Sequence, residues 1–232
     1  MDAVSELALE LALKSTRMID ADHPAVVEFA RKTTAAARDA RERAVVLYYA
    51  VRDRVRYDPY KLDLSPGGLS ASRVLADGFG WCVPKATLLA AACRAVGVPA
   101  RLGLADVRNH LSTARLREAM GTDIFYGHGY TAMHLGGQWL KATPAFNVEL
   151  CDKLGLRTLE FDGAADSIYH PFDLAGKRHM EYLHFRGEFD DVPRNDLLDL
   201  FAEHYPRLAR LDAAGWQDDL SRESAQRPGP DA

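Results

Sequence analysis

GFGWCVPKATLLAAACRAVGVPAR, residues 78–101, is the stretch on which the fold turns. Cys82, Ala86, Leu89, Cys93 and Val96 recur at the spacing of one helical face, so a helix opens on the cysteine. Pro84 falls in its first turn, where a missing N–H costs nothing, and Gly97 ends it. Behind it Val98, Ala100, Leu102 and Leu104 alternate as in a strand. A cysteine at a helix start meets unpaired backbone N–H groups and the positive end of the helix dipole, both of which favour the thiolate. The thiolate is the nucleophilic form of the side chain. Gly78 and Gly80 just before it leave room for a substrate to approach. Position alone also suits a small buried residue. Cys93 shares the apolar stripe and reads as core; Cys151 lacks local glycines and reads as incidental.

Upstream the chain is helical. Residues 2–17 carry a weak amphipathic pattern, and Pro24 suits a first helical position. Ala44, Leu47, Tyr48, Val51 and Val55 mark a third helix that stops before Pro59. SPGG at 65–68 is a loop, and Ser70 is placed to cap a short helix ending near Gly78. Downstream, residues 108–126 keep no clear period and read as an insertion with a short helix. From Gly127 the period becomes two. HGYTAMHL (128–135), Gly136–Gly137 and QWLKAT (138–143) form a hairpin with a two-residue turn. RTLEFDG (157–163) and HMEYLHFRG (179–187) are further strand candidates, and RNDLLDLFAEHY (194–205) is a closing helix. Helices first and strands later give an α+β order with an antiparallel sheet. One domain is expected over 1–222. It comprises a helical part at 1–57, a core at about 58–147, and C-terminal strands and a helix at 148–210. A polar tail follows at 223–232.

The chain has 232 residues, 47% of them apolar and 27% charged, with a net charge of −4. Such a composition supports a full hydrophobic core and excludes a largely disordered chain. The sequence holds no clustered basic face for nucleic acid and no apolar run long enough for a bilayer. The N-terminus lacks the basic region of a secretory signal. Three widely spaced cysteines fit a reduced, cytoplasmic setting better than a disulfide framework.

A cysteine nucleophile needs a base, and His128 is the leading candidate among eight histidines. It shares one strand face with Tyr130, Ala132 and His134. Across the two-residue turn Leu135 pairs with Gln138. That register sets His128 opposite Ala145, with Thr143 and Asn147 as diagonal neighbours on the same face. His128 on its own would also read as a satisfied strand histidine. His134 and Trp139 read as a packing pair, and His110 is a weaker candidate base. Trp81 either walls the acyl site, gives its indole N–H to an oxyanion, or packs in the core. DGAADSIYHPFD (162–173) reads equally as pocket lining and as a solvated loop.

VVLYYAVRDRVRYD (45–58), LSASRVLADGFGWCVPKATLLAAACRAVGVPAR (69–101) and GHGYTAMHLGGQWLKATP (127–144) together resemble the transglutaminase-like superfamily. Each piece alone is weak; the ordered set is specific. The resemblance implies a papain-like core, with the cysteine helix packed on the sheet that carries the histidine. It implies a Cys-His-Asp/Asn triad and a thioester intermediate, with Cys82 as nucleophile and His128 as base. The family's aspartate position holds Thr143 here, so Asn147 is the preferred orienter of the imidazole, with Asp162 or Asp166 as alternatives. The expected activity is cysteine-dependent hydrolysis of an amide bond in a peptide or small amide. Transfer to an amine, or a non-catalytic binding domain on the same scaffold, are the alternatives. No cofactor, metal, nucleic acid or membrane partner is expected. A zinc site from Cys82, Cys151 and His128 lacks paired-ligand spacing.

Overall fold

The computed structural model describes residues 3–110, 114–168, 172, 175–176 and 180–206. Its helices are α1 (Ala3–Leu11), α2 (Pro24–Thr33), α3 (Ala40–Arg54), α4 (Ala71–Asp77), α5 (Cys82–Ala95), α6 (Ala114–Met120), α7 (Val148–Leu154) and α8 (Arg194–His204). Its strands are β1 (Arg56–Tyr57), β2 (Phe79–Gly80), β3 (Ala100–Asn109), β4 (Ile124–Leu135), β5 (Gln138–Ala142) and β6 (Met180–Phe189). The last four form an antiparallel sheet in the order β5-β4-β3-β6, and β1 and β2 form a small parallel pair. This is the α+β architecture expected from the sequence.

The helix that opens on Cys82 is engulfed. Every residue of α5 from Cys82 to Arg94 is buried, not just the stripe visible in the sequence. The alanines at 86, 90, 91 and 92 carry almost no side-chain bulk, so α2, α3, α4, β3 and β4 all come against it. Its polar side chains are absorbed by backbone groups. Lys85 is fully buried and donates to the carbonyls of Arg52 and Val55 at the end of α3. Burial pushes the Lys85 ammonium well below the ordinary lysine range. Arg94 donates to Ala100 O at 2.8 Å, Lys14 O at 2.6 Å and Asp190 O at 2.8 Å.

The hairpin register is the expected one, with Leu135 paired to Gln138 and His134 to Trp139. Gly136 and Gly137 have φ of 60° and 88°, the two positive values that a tight turn matching strand twist demands. The ladder stops at Thr131–Ala142, so the expected pairing of His128 with Ala145 does not form. Pro144 has no N–H to continue it, and the strand instead meets Ser167, whose carbonyl accepts from the Thr143 amide at 2.9 Å.

Other expectations need correction. The helix predicted over 2–17 ends at Leu11. The carbonyls of Ala12 and Lys14 are taken by the Ala100 amide and by Arg94, tertiary partners that a continued helix would forfeit. The region 108–126 holds the expected short helix, α6, but its ends belong to the sheet: β3 runs on to Asn109 and β4 starts at Ile124. RTLEFDG forms no strand. Side chains of α3 satisfy its backbone, Tyr48 and Arg52 donating to Leu159 O and Tyr49 Oη accepting from the Phe161 amide. Helix α7, ended by Gly155 at φ 65°, had no sequence reading. Residues 207–232, with the expected tail, lie outside the described residues, as do 169–171, 173 and 174 of the loop at 162–173 and its surroundings. Among the described residues no helix is long and apolar enough to cross a membrane.

Replacing Lys85 by Met keeps the volume but strands two buried carbonyls, each of which costs about 1–3 kcal/mol when left unpaired. Urea unfolding of Lys85→Met should therefore show a loss of about 2–4 kcal/mol with an unchanged m-value. No loss would mean that the α3 carbonyls do not depend on this amine.

Candidate active site

Cys82 is delivered to its place by α4 and β2. Gly78 closes α4 at φ 69°, and β2 then pairs with β1 through Arg56 N to Gly78 O at 2.9 Å and Asp58 N to Gly80 O at 3.1 Å. Trp81 is the extended residue before the helix, and Cys82 is the first helical residue. On the other side β4 passes directly over the helix start. A Cβ placed on Gly129 would lie 2.6 Å from Val83 Cα, a backbone atom that cannot yield. This contact brings the strand residue next to His128 against the residue next to Cys82. The backbone amides of Gly129, Val83 and Cys82 itself favour the Cys82 thiolate.

His128 is aimed by a bulge. Ala105 pairs with His128, but Val107 pairs with Phe125, so β4 carries an extra residue there. Gly127 takes a φ of 73°, and its amide donates to Asp106 Oδ1 at 3.1 Å. Asp106 is held in turn by Arg186 through contacts of 2.6 and 2.9 Å. The buried imidazole places Nε2 3.4 Å from Thr143 Oγ1, which lies 3.3 Å from the Gly129 carbonyl. The Tyr182 ring stands edge-on to it at 6.2 Å, and the Tyr182 hydroxyl is buried without a hydrogen-bond partner among the described residues.

The preference for Asn147 as the ring's partner is revised. Asn147 Oδ1 accepts from the Tyr57 amide at 3.2 Å, whereas Thr143 is the side chain at Nε2. The strand register already marked Thr143 as a diagonal neighbour; beyond Pro144 the chain leaves the sheet, and Asn147 goes with it to the start of α7. Neither alternative aspartate faces the ring. Asp162 Oδ1 accepts from the amides of Ala164 and Ala165, and Asp166 Oδ1 from that of Lys141. His110 Nε2 lies 3.6 Å from Glu181, and His134 packs against Trp139 at 5.4 Å. Trp81 has its indole N–H buried without a partner among the described residues, with the ring 5.9 Å from that of Phe201. Cys93 and Cys151 are buried away from these contacts, Cys93 with its sulfur 3.6 Å from that of Met133. Among the described residues no three His, Cys, Asp or Glu side chains converge as metal ligands.

Cys82 and His128 both line a cavity of about 530 Å³. Much of its wall escaped sequence reasoning, because it comes from α6, α8 and the residue that caps α8, all far from Cys82 in the chain: Leu116, Met120, Phe201 and Tyr205. The apolar spacing of RNDLLDLFAEHY marks Phe201 as inward-facing but not what it faces. The electrostatics also depart from expectation. Burial pushes the Cys82 thiol up to about 11, despite the three amides that favour the thiolate. Burial alone pushes the His128 imidazole down to about 4. Both groups, lining one cavity, are therefore neutral at neutral pH rather than a thiolate–imidazolium pair.

A helix that presents a cysteine to a histidine-bearing antiparallel sheet defines the class. The chain belongs to the transglutaminase-like superfamily, whose family model matches residues 27–144, half of the chain. Among solved structures it is similar to a candidate cysteine protease from Cytophaga hutchinsonii, with 17% identity and a TM-score of 0.48. That match covers 81% of this chain and 55% of the other. A candidate protease from Parabacteroides distasonis matches at 15% identity and a TM-score of 0.36, over 53% of this chain and 26% of the other. The chain thus spans about half the length, or less, of these structural neighbours. No curated protein matches it.

Neutral resting groups have a pH signature. Alkylation of Cys82 by iodoacetamide should rise about tenfold per pH unit through neutrality, following the small thiolate fraction of a thiol near 11. A plateau at neutral or lower pH would instead reveal an ion pair. The fold should also be acid-sensitive. The unfolded chain binds the His128 proton near 6.5 and the folded chain only near 4, so stability is lost as pH falls through that window. The loss attributable to this group is at most about 3 kcal/mol. Thermal unfolding of wild type and His128→Gln across the window measures it.

Proposed function

We propose that the protein is a cysteine-dependent acyl-transfer enzyme that hydrolyses an amide bond. One observation carries the proposal: Cys82 opens a helix whose next residue lies against Gly129, the neighbour of His128, and the Cys82 and His128 side chains line one cavity. The hydrogen-bond chain supports an assignment of roles to the ring nitrogens. The Thr143 hydroxyl donates to the Gly129 carbonyl, so it accepts from Nε2–H, and Nδ1 is left with the lone pair. Nδ1 is then the base.

Because both groups rest neutral, proton transfer accompanies attack. As the sulfur–carbon bond forms, the thiol proton passes to Nδ1. The imidazolium then protonates the leaving nitrogen as the carbon–nitrogen bond breaks, giving an amine and a thioester on Cys82. Water attacks the thioester, His128 takes a proton from it, and the carboxylic acid departs with the thiol restored. The unpartnered Trp81 indole N–H and the first amides of α5 are the donors on hand for the oxyanion. Thr143 holds the tautomer but supplies no negative charge to the imidazolium. Water is the favoured acceptor because the cavity mouth carries Lys61, Asp63, Arg73 and Asp77, all exposed to solvent.

Incubation with a mixed peptide digest, followed by an amine-reactive dye, should show new amino groups with the wild-type protein. Cys82→Ala should show none, and His128→Ala should be slower by about a hundredfold or more. Release without a dependence on Cys82 would refute the mechanism, and no release at all would favour a binding domain.

The two orienter candidates separate by mutation. Thr143→Val should slow turnover about ten- to a hundredfold, with Thr143→Ser restoring most of it, since only the hydroxyl matters to the tautomer. Asn147→Ala should act mainly through the Tyr57 backbone, lowering stability by about 1 kcal/mol. A larger loss of turnover in Asn147→Ala than in Thr143→Val would return the orienting role to the asparagine.

A further inference from the structure

We infer that the cavity beside Cys82 is an aromatic side-chain subsite, so that the substrates are peptides or N-acyl amides carrying an aromatic residue on the acyl side of the bond cleaved. The inference rests on the acyl-transfer reading and names the substrate class for the same site.

The cavity of about 530 Å³ lies within the usual range for small-ligand sites of about 300–1,000 Å³ and suits one ring with its flanking backbone. Its inner wall is apolar and already shielded from water. Tyr57, Trp81, Leu116, Met120, Phe201 and Tyr205 all line it, yet each is no more than 8% exposed. The wall is also fixed. The Tyr57 ring stands edge-on to Phe146 at 4.8 Å while its amide is held by Asn147. The Phe201 and Tyr205 rings meet edge to face at 5.0 Å. The Tyr205 hydroxyl is used up on backbone, donating to Ile124 O and accepting from the Tyr126 amide, so the tyrosine offers its ring and not its polar tip.

Charge is confined to the mouth, and much of it is already engaged. Arg73 pairs with Asp77 at 2.8 Å, and Asp63 Oδ1 accepts from the Ser65 amide at 2.8 Å. An acidic acyl side chain would have to lose its hydration inside an aromatic chamber with no cation in the inner wall. A small one would leave the chamber unfilled. An aromatic ring gains edge-to-face contacts with wall aromatics such as Tyr57, Trp81, Phe201 and Tyr205 and a sulfur–ring contact with Met120. Leu116 and Met120 come from α6, Phe201 from α8 and Tyr205 from its C-cap, so specificity is built on elements separate from the helix and strand that carry Cys82 and His128.

The test compares alkylation of Cys82 in the full chain by three chloromethyl ketones, those of N-acetyl-phenylalanine, N-acetyl-alanine and N-acetyl-glutamate, read by mass spectrometry. The phenylalanine reagent should react about tenfold faster than the alanine reagent, or more, and the glutamate reagent slowest. The phenylalanine-to-alanine rate ratio is the quantity compared between variants. It should collapse toward one in Met120→Glu and fall about two- to threefold in Phe201→Leu, the milder change that guards against misfolding of the first. Equal rates for the three reagents, or a fastest glutamate reagent, would overturn the subsite. Rates indifferent to His128→Ala would instead sink the acyl-transfer reading, and the side-chain ratio would then decide the subsite by itself.

Discussion

The backbone of β4 lies directly on the first turn of α5, and this one approach determines most of what the site is. It exists because residue 129 is a glycine: any side chain there would strike the Val83 backbone. From it follow the depth of the cysteine, the influence of the Gly129 amide on its thiolate, and the placing of the neighbouring histidine on the same cavity. The approach is bracketed on both sides. Gly127 and its bulge, tied to the Asp106–Arg186 pair, set the strand upstream, and Thr131 fixes it downstream by donating to the Ala86 carbonyl at 2.9 Å. A helix start held by three such ties cannot shift alone.

Depth has a consequence for the chemistry. A helix N-terminus stabilises a thiolate, but its effect is a fraction of a charge, whereas burial removes water from the whole ion. Here burial wins for both groups. A carboxylate beside Nε2 would have shifted the balance toward the ion pair; a threonine hydroxyl does not. The same shielding that keeps the resting pair neutral strengthens any charge-stabilising contact formed when a substrate fills the cavity. On the proposed mechanism, the Trp81 N–H, unpartnered among the described residues, is one such donor.

Much of the scaffold was legible in the sequence. The helix from Cys82 to the Gly97 stop, the hairpin register and the closing helix were written in periods of 3.6 and two and in glycines at positive φ. These are local properties, and local sequence carries them. The misread pieces share a cause. Residues 12–17 and RTLEFDG give their backbone groups to Arg94, Tyr48, Tyr49 and Arg52, which lie eighty residues away or more. No window on the sequence contains such partners. The stripe on α5 was read correctly as far as it went, but the alanines between its members gave no sign that the helix is covered on every side.

For the site, the sequence alone determined the reactive residue types and their order along the chain: a cysteine opening a helix, a histidine in a strand, and a threonine where the family resemblance expects an aspartate. Tertiary structure decided which side chain meets the imidazole, because Pro144 ends the ladder and takes Asn147 out of the sheet. It decided the protonation of the pair, because desolvation depends on everything packed around a group rather than on its neighbours in the chain. It also decided the shape of the cavity, whose wall is closed by α6 and α8. A pocket is a relation between surfaces, and only the folded chain brings those surfaces face to face.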